Sequence, residues 1–371
     1  MRFSFSEEQD ALREAVRSFF ERKSAHDEVR RLMMSESGYD EGVWRQMATG
    51  LGLQGLAIPE EFGGAGATFA EVAVVLEEAG RSLLCAPYFA TVVLAANALA
   101  LSGDRAAQER WLPRIASGEL VATVAHLDDS GQWNPAGIAV TASRSGDEWL
   151  LNGTKRFVVD GLAADLIVVA ARVGDGISLF AVEGGASGLE RAAQDPMDLT
   201  RRLAIVSLAD VPAVPLGTPG DQWGILERVL QLGAIGLAAE QAGGAQYALE
   251  MVVRYAKERE QFGKPIGAFQ AVKHKAAEML LDVESARSIA YYAAACATAG
   301  DGDLQVAASL AKSFCSEAYF RTAASCIQLH GGIGFTWEHP AHLYFRRAKS
   351  SEIYLGDGNY HRDVLASRLD A

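Results

Sequence analysis

Positive charge is in short supply along this chain: 34 lysines and arginines stand against 47 aspartates and glutamates, a formal net charge of −13. A surface of that sign repels polyanions, which excludes nucleic acid as a partner while leaving room for a local basic pocket around a phosphate. Cysteine is scarce as well. Cys85, Cys296, Cys315 and Cys326 form no C-x-x-C pair, and each falls in an apolar stretch expected to be helical. Buried, reduced thiols are therefore expected, and a disulfide framework is not. Long apolar runs are missing: the longest, 89–101, includes Asn97 and falls short of the ~20 residues that span a bilayer. The opening Met1-Arg2-Phe3-Ser4-Phe5-Ser6 has no long apolar core and no cleavage-like site. No secretory leader is read there, and a soluble, cytoplasmic protein with no membrane partner is expected.

What is present is a chain of 371 residues with 49% hydrophobic content, enough for a sizeable core and for two or three domains or one large enzyme subunit. Ser6, followed by Glu7, Glu8 and Gln9, reads as a capping box, with Leu12, Ala15, Val16, Phe19 and Phe20 on one helical face behind it. Helical patterning continues around Trp44 and Met47 and over 69–80, 89–101 and 105–115, so residues 1–118 read as an N-terminal helical domain. From Gly118 onward the pattern changes. Short runs rich in β-branched residues at 121–127, 138–143, 149–151, 156–159, 166–171, 177–182 and 203–208 predict a middle antiparallel β domain over 119–219. Asn152-Gly153 is expected to be a hairpin turn, and Pro212, Pro215 and Pro219 a linker. Long helical patterns at 223–259, 269–299 and 304–329, then two shorter ones, predict a C-terminal four-helix-type bundle over 220–371. The fold class is α+β, with no internal repeat.

Two segments carry the most chemistry. Arg259-Glu260-Gln261-Phe262-Gly263-Lys264-Pro265-Ile266 puts a guanidinium and an aromatic ring at a helix end. Gln328-Leu329-His330-Gly331-Gly332-Ile333-Gly334 puts an amide three residues before paired glycines, where backbone can approach a ligand closely. With them go Ile58-Pro59-Glu60-Glu61-Phe62-Gly63-Gly64-Ala65-Gly66, Trp111-Leu112-Pro113, Ser117-Gly118-Glu119 and Leu151-Asn152-Gly153-Thr154-Lys155. Together these resemble the acyl-CoA dehydrogenase family over essentially the whole chain. The glycine loop at 63–66 lacks a following Lys-Ser or Lys-Thr, which excludes a P-loop, and reads as a turn between helical stretches.

The resemblance implies FAD at a subunit interface, with one subunit holding the isoalloxazine and its neighbour gripping the pyrophosphate and adenine. Carried over by position, Arg259 faces the pyrophosphate, Phe262 packs beside the nucleotide, Gln270 and Gln328 hydrogen-bond to it, and Gly331 and Gly332 admit the backbone. A planar guanidinium fork suits phosphate oxygens. The family's reaction removes the α proton of an acyl-CoA thioester with a carboxylate base while hydride passes to the flavin. The usual base lies in a stretch that here reads Ile353-Tyr354-Leu355-Gly356-Asp357-Gly358-Asn359, with Leu355 at the base position. The alternative base position falls on Gly233. Neither residue can take up a proton.

The segment that touches the subunit's own flavin is replaced by Leu127-Asp128-Asp129-Ser130-Gly131-Gln132-Trp133, and the triplet covering the flavin ring by Phe157-Val158-Val159, which leaves Phe157 and Val159 as own-side flavin contacts. Asp357 stands where the family has a threonine facing its own nucleotide, and an anion there repels a pyrophosphate. The reading is thus a subunit that serves a neighbour's flavin: half of an α2β2 hetero-oligomer with a paralogous partner, using an electron-transfer flavoprotein as acceptor. The string Gly332 to His339 resembles paired members of bacterial steroid and lipid catabolism. A homo-oligomeric flavin monooxygenase on the same fold and a non-enzymatic scaffold subunit are the alternatives. Glu338, His339 and His342 crowd together without a third metal ligand or a second shell, so no metal is expected; Glu240 reads as structural; His361 and Arg362 are candidates to pair with Asp357 or a phosphate.

Overall fold

The computed structural model describes residues 6–299 and 304–369. The chain falls into two compact units: one comprises the residues up to Arg31, Phe69–Leu84 and those from Ala234 onward, the other Leu32–Thr68 and Cys85–Gly233. No helix among the described residues is long and apolar enough to cross a membrane.

The first unit is helical. Its elements are α1 (Glu7–Lys23), most of α2 (His26–Met33), α4 (Phe69–Arg81), the greater part of α7 (Trp223–Glu258), α8 (Gln270–Ala299), α9 (Leu304–His330), α10 (Ala341–Ile353) and α11 (Gly358–Leu369). The capping box at Ser6 forms in both directions, with Gln9 N–H donating to Ser6 Oγ at 3.2 Å and Ser6 N–H to Gln9 Oε1 at 3.1 Å. α4 and α7 cross with their backbones in contact. A Cβ on Gly80 would lie 1.9 Å from the Glu240 carbonyl oxygen, and one on Gly243 would lie 1.8 Å from that of Glu77. Only glycine permits that approach. Beside the crossing, Glu77 is buried and accepts from Arg13 at 2.5 Å, Arg287 at 2.9 Å and the Tyr291 hydroxyl at 2.5 Å. Burial alone raises its pKa; Arg13 first, then Arg287 and Tyr291, overcome that and hold it below the ordinary 4.5.

The second unit holds α3 (Glu41–Leu51), a π-helical turn at Phe89–Ala95 that runs into α5 (Ala96–Leu101), α6 (Arg105–Ala116) and the sheet. The strands are β1 (Ala122–Ala125), β2 (Thr141–Ser145), β3 (Glu148–Val159), β4 (Leu166–Val173), β5 (Gly176–Glu183), β6 (Leu189–Gln194) and β7 (Leu203–Pro215). Their order is β1-β4-β2-β3-β7-β5, and a β4–β5 pairing closes the ring; β6 adds to β7. The sheet is antiparallel apart from β1, which runs parallel to β4, and a single parallel β2–β4 bridge. Val140, Leu151, Ile167, Val169, Phe180 and Val206 fill its interior. The glycine loop at 63–66 is a turn held by backbone packing: a Cβ on Gly64 would sit 1.9 Å from the Ile58 carbonyl oxygen.

Several sequence expectations need correction. Asn152-Gly153 is not a hairpin turn; the β2–β3 hairpin reverses at 146–147, and 149–151 and 156–159 belong to one strand. Asn152 exchanges two hydrogen bonds with Asp210, both 2.9 Å, across a bulge between Leu151 and Gly153, so its amide stitches an irregular ladder. Pro212 and Pro215 lie within β7, which shortens the linker. Pro212 falls where β6 has ended and only β3 flanks β7, so its missing N–H costs no ladder bond on that open side. Cys85 lies in a loop rather than a helix, and Cys296 is half-buried, though none of the four forms a disulfide. α2 and β6 had no clear sequence signal; β6 reads Leu-Glu-Arg-Ala-Ala-Gln, without a β-branched residue.

Two outcomes follow from the α4–α7 crossing. Gly243→Ala, although it raises helix propensity, is expected to lower stability by about 1–3 kcal/mol through overpacking against Glu77, read as a lower thermal midpoint. Glu77→Gln removes the buried carboxylate shared by two half-buried guanidinium groups, which keep Glu78 and Glu284, and is expected to cost about 3 kcal/mol. Because Glu77 titrates lower in the folded than in the unfolded chain, its contribution is complete above about pH 4.5 and is lost as pH falls through the folded value. Urea unfolding at pH 7 and at pH 3 should therefore show the gap between wild type and Glu77→Gln narrowing at the acid end.

Candidate functional site

The end of α7 and the start of α8 (Gln270–Ala299) are joined by a miniature hairpin. β8 (Glu260–Gln261) pairs with β9 (Lys264–Pro265), and the two residues between them, Phe262 and Gly263, have φ of 54° and 74°. Positive φ at both positions is the type I′ pattern, which glycine adopts freely and phenylalanine only under strain. The result is a phenyl ring 91% exposed, touching Phe269 edge-on at 6.1 Å. Arg259 is fixed through its backbone, its N–H donating to Tyr255 O and its carbonyl accepting from Ile266 N, both 2.8 Å. Its side chain is exposed and makes no hydrogen bond or ion pair with the described residues. Gln270 opens α8 with its side chain exposed.

The second segment closes α9. Gln328 is exposed in the last turn, and Gly331 ends the helix at φ +62°. A Cβ on Gly332 would meet nothing within 4 Å among the described residues, so packing there leaves room for a side chain. Gly334, by contrast, packs against Ile327 O. A stack that sequence reasoning missed ties the two segments together. The His330 ring lies 4.5 Å from Tyr255 on α7 and 4.4 Å from His339, with Nδ1 2.7 Å from Cys326 O. Burial lowers the pKa of His330, and that of His339 falls to about 4, from burial first and then from His330 and neighbouring cations. The signal was in the motif itself: His330 separates Gln328 from the glycines, and Tyr255 lies one turn before Arg259.

At Leu355, where the family resemblance places the base, the backbone is held by hydrogen bonds and the side chain carries no ionisable group. Leu355 has φ +63° and is buried. Lys312, wholly buried on α9, spends its three N–H groups on Ser316 Oγ (3.1 Å), Glu352 O (2.9 Å) and Gly356 O (2.9 Å). Burial brings its pKa down to about 7. His361 Nε2 lies 2.9 Å from Leu355 O and Nδ1 3.2 Å from Ser309 Oγ; burial first, then Lys312, lowers its pKa to about 4, so it is a neutral ring donating to the Leu355 carbonyl. Asp357 caps α11, its Oδ1 accepting from Tyr360 N–H at 2.8 Å. His361 and Arg362 do not hydrogen-bond its carboxylate; Arg362 pairs with Glu317 and Asn359. Gly233 is buried in α7, and Glu240 is held by Arg347 at 2.7 Å, a structural pair two turns along.

On the sheet, Phe157 stands in a bulge with φ +53° and is 42% exposed, while its N–H donates to Gln194 Oε1 at 3.1 Å. Val159 is fully buried, and its carbonyl accepts the Thr123 hydroxyl at 2.6 Å, so Phe157 alone of the two presents a surface. Lys155 forms a buried ion pair with Asp128, which also accepts Val140 N–H at 2.8 Å. Burial lowers the Lys155 pKa to about 8 against the opposing pull of Asp128. Among the described residues no group of three or more His, Cys, Asp or Glu side chains is arranged to hold a metal. His339 Nδ1 accepts Ala341 N–H, and His342 Nε2 lies 3.1 Å from Trp337 O.

Comparison with known proteins accounts for the arrangement. Residues 6–119, 128–204 and 221–369 match the acyl-CoA dehydrogenase N-terminal, middle and C-terminal domains respectively. Acyl-CoA dehydrogenase IpdE2 of Mycolicibacterium smegmatis is 35% identical over 351 residues, 95% of each chain. Among solved structures, a variant of the Tcur3481-Tcur3483 steroid ACAD superposes with a TM-score of 0.88 at 35% identity, covering 98% of this chain and 99% of that one. The ChsE4-ChsE5 complex from Mycobacterium tuberculosis gives 0.90 at 29% identity, covering 100% and 99%. The chain belongs to the acyl-CoA dehydrogenase family.

Proposed function

We propose that this chain is one subunit of an FAD-dependent acyl-CoA dehydrogenase, in which it grips the nucleotide of a flavin carried mainly by a paralogous partner. The observation that carries this reading is a pairing of opposites. Arg259, Phe262, Gln328 and Gly332 are exposed, and the Arg259 and Gln328 side chains make no polar contact with the described residues, whereas Leu355 and Gly233 are buried and carry no ionisable group. The donors fit a dinucleotide. Arg259 is a free guanidinium for the pyrophosphate, Gln270 and Gln328 offer amides, and the open face of Gly332 lets backbone come within reach of a ligand. Phe262 bears backbone strain that its own exposure does not repay, which fits a ring that packs only in an assembly.

FAD, when bound, supplies hydride acceptance from the β carbon of the thioester. The proton at the α carbon needs a carboxylate, and the partner subunit provides it, because Asp357 is committed to capping α11 and Glu240 to Arg347. An α2β2 assembly in the cytoplasm, handing electrons to an electron-transfer flavoprotein, is the simplest arrangement. The similarity to a steroid ACAD and to the ChsE4-ChsE5 complex supports both a two-chain assembly and a bulky acyl-CoA substrate of the steroid side-chain class.

Expressed alone, the chain is expected to purify without a flavin spectrum. Co-expressed with its paralogue, it should copurify yellow at about one flavin per pair of chains, measured by absorbance against protein concentration. A chain that is yellow alone and oxidises an acyl-CoA with an artificial acceptor overturns the proposal. Arg259→Ala is expected to weaken flavin retention by the pair about tenfold or more, the loss of a charge-assisted contact of roughly 1.5–3 kcal/mol, while gel filtration shows the assembly intact. Unchanged flavin content would remove Arg259 from the clamp.

A further inference from the structure

Away from the clamp segments, the helical unit contains a cavity of about 360 Å³ whose wall is built from α1, α2, α4, α7 and α10. That volume lies at the lower end of the roughly 300–1,000 Å³ range of small-molecule sites. Three arginines line it. Two are committed: Arg17 places Nε and Nη2 on Glu78 at 2.9 and 2.7 Å, and Arg81 bonds both oxygens of Glu250 at 2.7 and 2.5 Å. The third, Arg254, is exposed and has neither an ion pair nor a side-chain hydrogen bond with the described residues.

Next to it, His26 has a defined orientation. Tyr344 Oη donates to Arg81 O at 2.7 Å, so the 3.2 Å contact between His26 Nε2 and Tyr344 Oη has the imidazole as donor, leaving Nδ1 as a lone-pair acceptor when the ring is neutral. Burial holds the His26 pKa below its usual value; Arg30 lowers it further, Asp27 opposes, and Arg254 adds a lesser lowering effect. Arg254 and His26 line the same cavity. Glu21, exposed on α1, also lines the cavity. Tyr247 and Tyr344, stacked at 5.1 Å, give the same cavity a rigid aromatic wall.

We propose that this cavity binds a small organic anion, a carboxylate or phosphate ester, with its charged group on Arg254 and beside His26 and its carbon skeleton against the Tyr247–Tyr344 wall. A guanidinium with no partner among the described residues, opening on a cavity with an aromatic wall, is an arrangement that an anion completes, and the neutral His26 Nδ1 can accept a hydrogen bond from a ligand hydroxyl. The site lies on residues distinct from Arg259, Phe262 and Gln328 and does not depend on the flavin reading.

The test is isothermal titration of the full-length chain, in whichever assembly it purifies, with glycerol phosphate, glutarate and inorganic phosphate, and with glycerol as the uncharged control. Saturable binding of an organic anion, tighter than that of inorganic phosphate and absent for glycerol, is expected. Arg254→Gln should weaken it about tenfold or more, and Arg254→Lys should restore part of it. The flavin content of the Arg254→Gln assembly should match wild type, in contrast to Arg259→Ala. No saturable binding of any anion, or equal affinity in wild type and Arg254→Gln, overturns the proposal. So does loss of flavin in Arg254→Gln, which would assign Arg254 to the nucleotide clamp instead.

Discussion

The helical unit depends on the approach of α4 to α7, where Gly80 and Gly243 let each backbone touch the other's carbonyls. That contact brings Glu77 into the interior, and the carboxylate is tolerable there only because Arg13, Arg287 and Tyr291 reach it from α1 and α8. Close packing and charge satisfaction thus specify the same geometry. With α7 fixed in this way, its last turn delivers Tyr255 to His330 and leaves Arg259 pointing into solvent. The exposed guanidinium is therefore a consequence of a rigid scaffold and not of a loose loop.

The same unit keeps a finely built turn around a residue with no acid–base chemistry. Lys312 and His361 hold the carbonyls of Glu352, Leu355 and Gly356, and the turn passes through left-handed backbone at two successive residues. Burying an ammonium costs several kcal/mol unless its hydrogen bonds are met, and here all three are. Structure of this quality around Leu355 argues that the turn still has a positional duty, such as seating α11 through the Asp357 cap. Asp357 serves as that cap through Oδ1, which accepts Tyr360 N–H.

Much of this was legible in the chain because local rules and the tertiary fold agreed. The capping box at Ser6, the ends of α7 and α9 and the β-branched strands β4 and β5 all follow from patterning. Misreadings arose where a side chain stood in for backbone. Asn152-Gly153 carries a turn signature, yet Asn152 completes the ladder to Asp210 across a bulge, and no local rule distinguishes the two uses. Pro212 signals a linker unless a strand happens to lack a neighbour on one side. Arg259, Phe262 and the glycines were singled out by the family resemblance, but the Tyr255–His330 contact was not legible, because it joins residues far apart in the chain. The open space at Gly332 is likewise visible only in three dimensions.

The decisive measurement is the structure of the copurified assembly with flavin bound. The expected result is the Arg259 guanidinium against the pyrophosphate of a flavin whose isoalloxazine rests in the other polypeptide, with a carboxylate of that other polypeptide facing the thioester. A flavin enclosed entirely by identical copies of this chain, with one of its own carboxylates at the acidic carbon of the thioester, would contradict it.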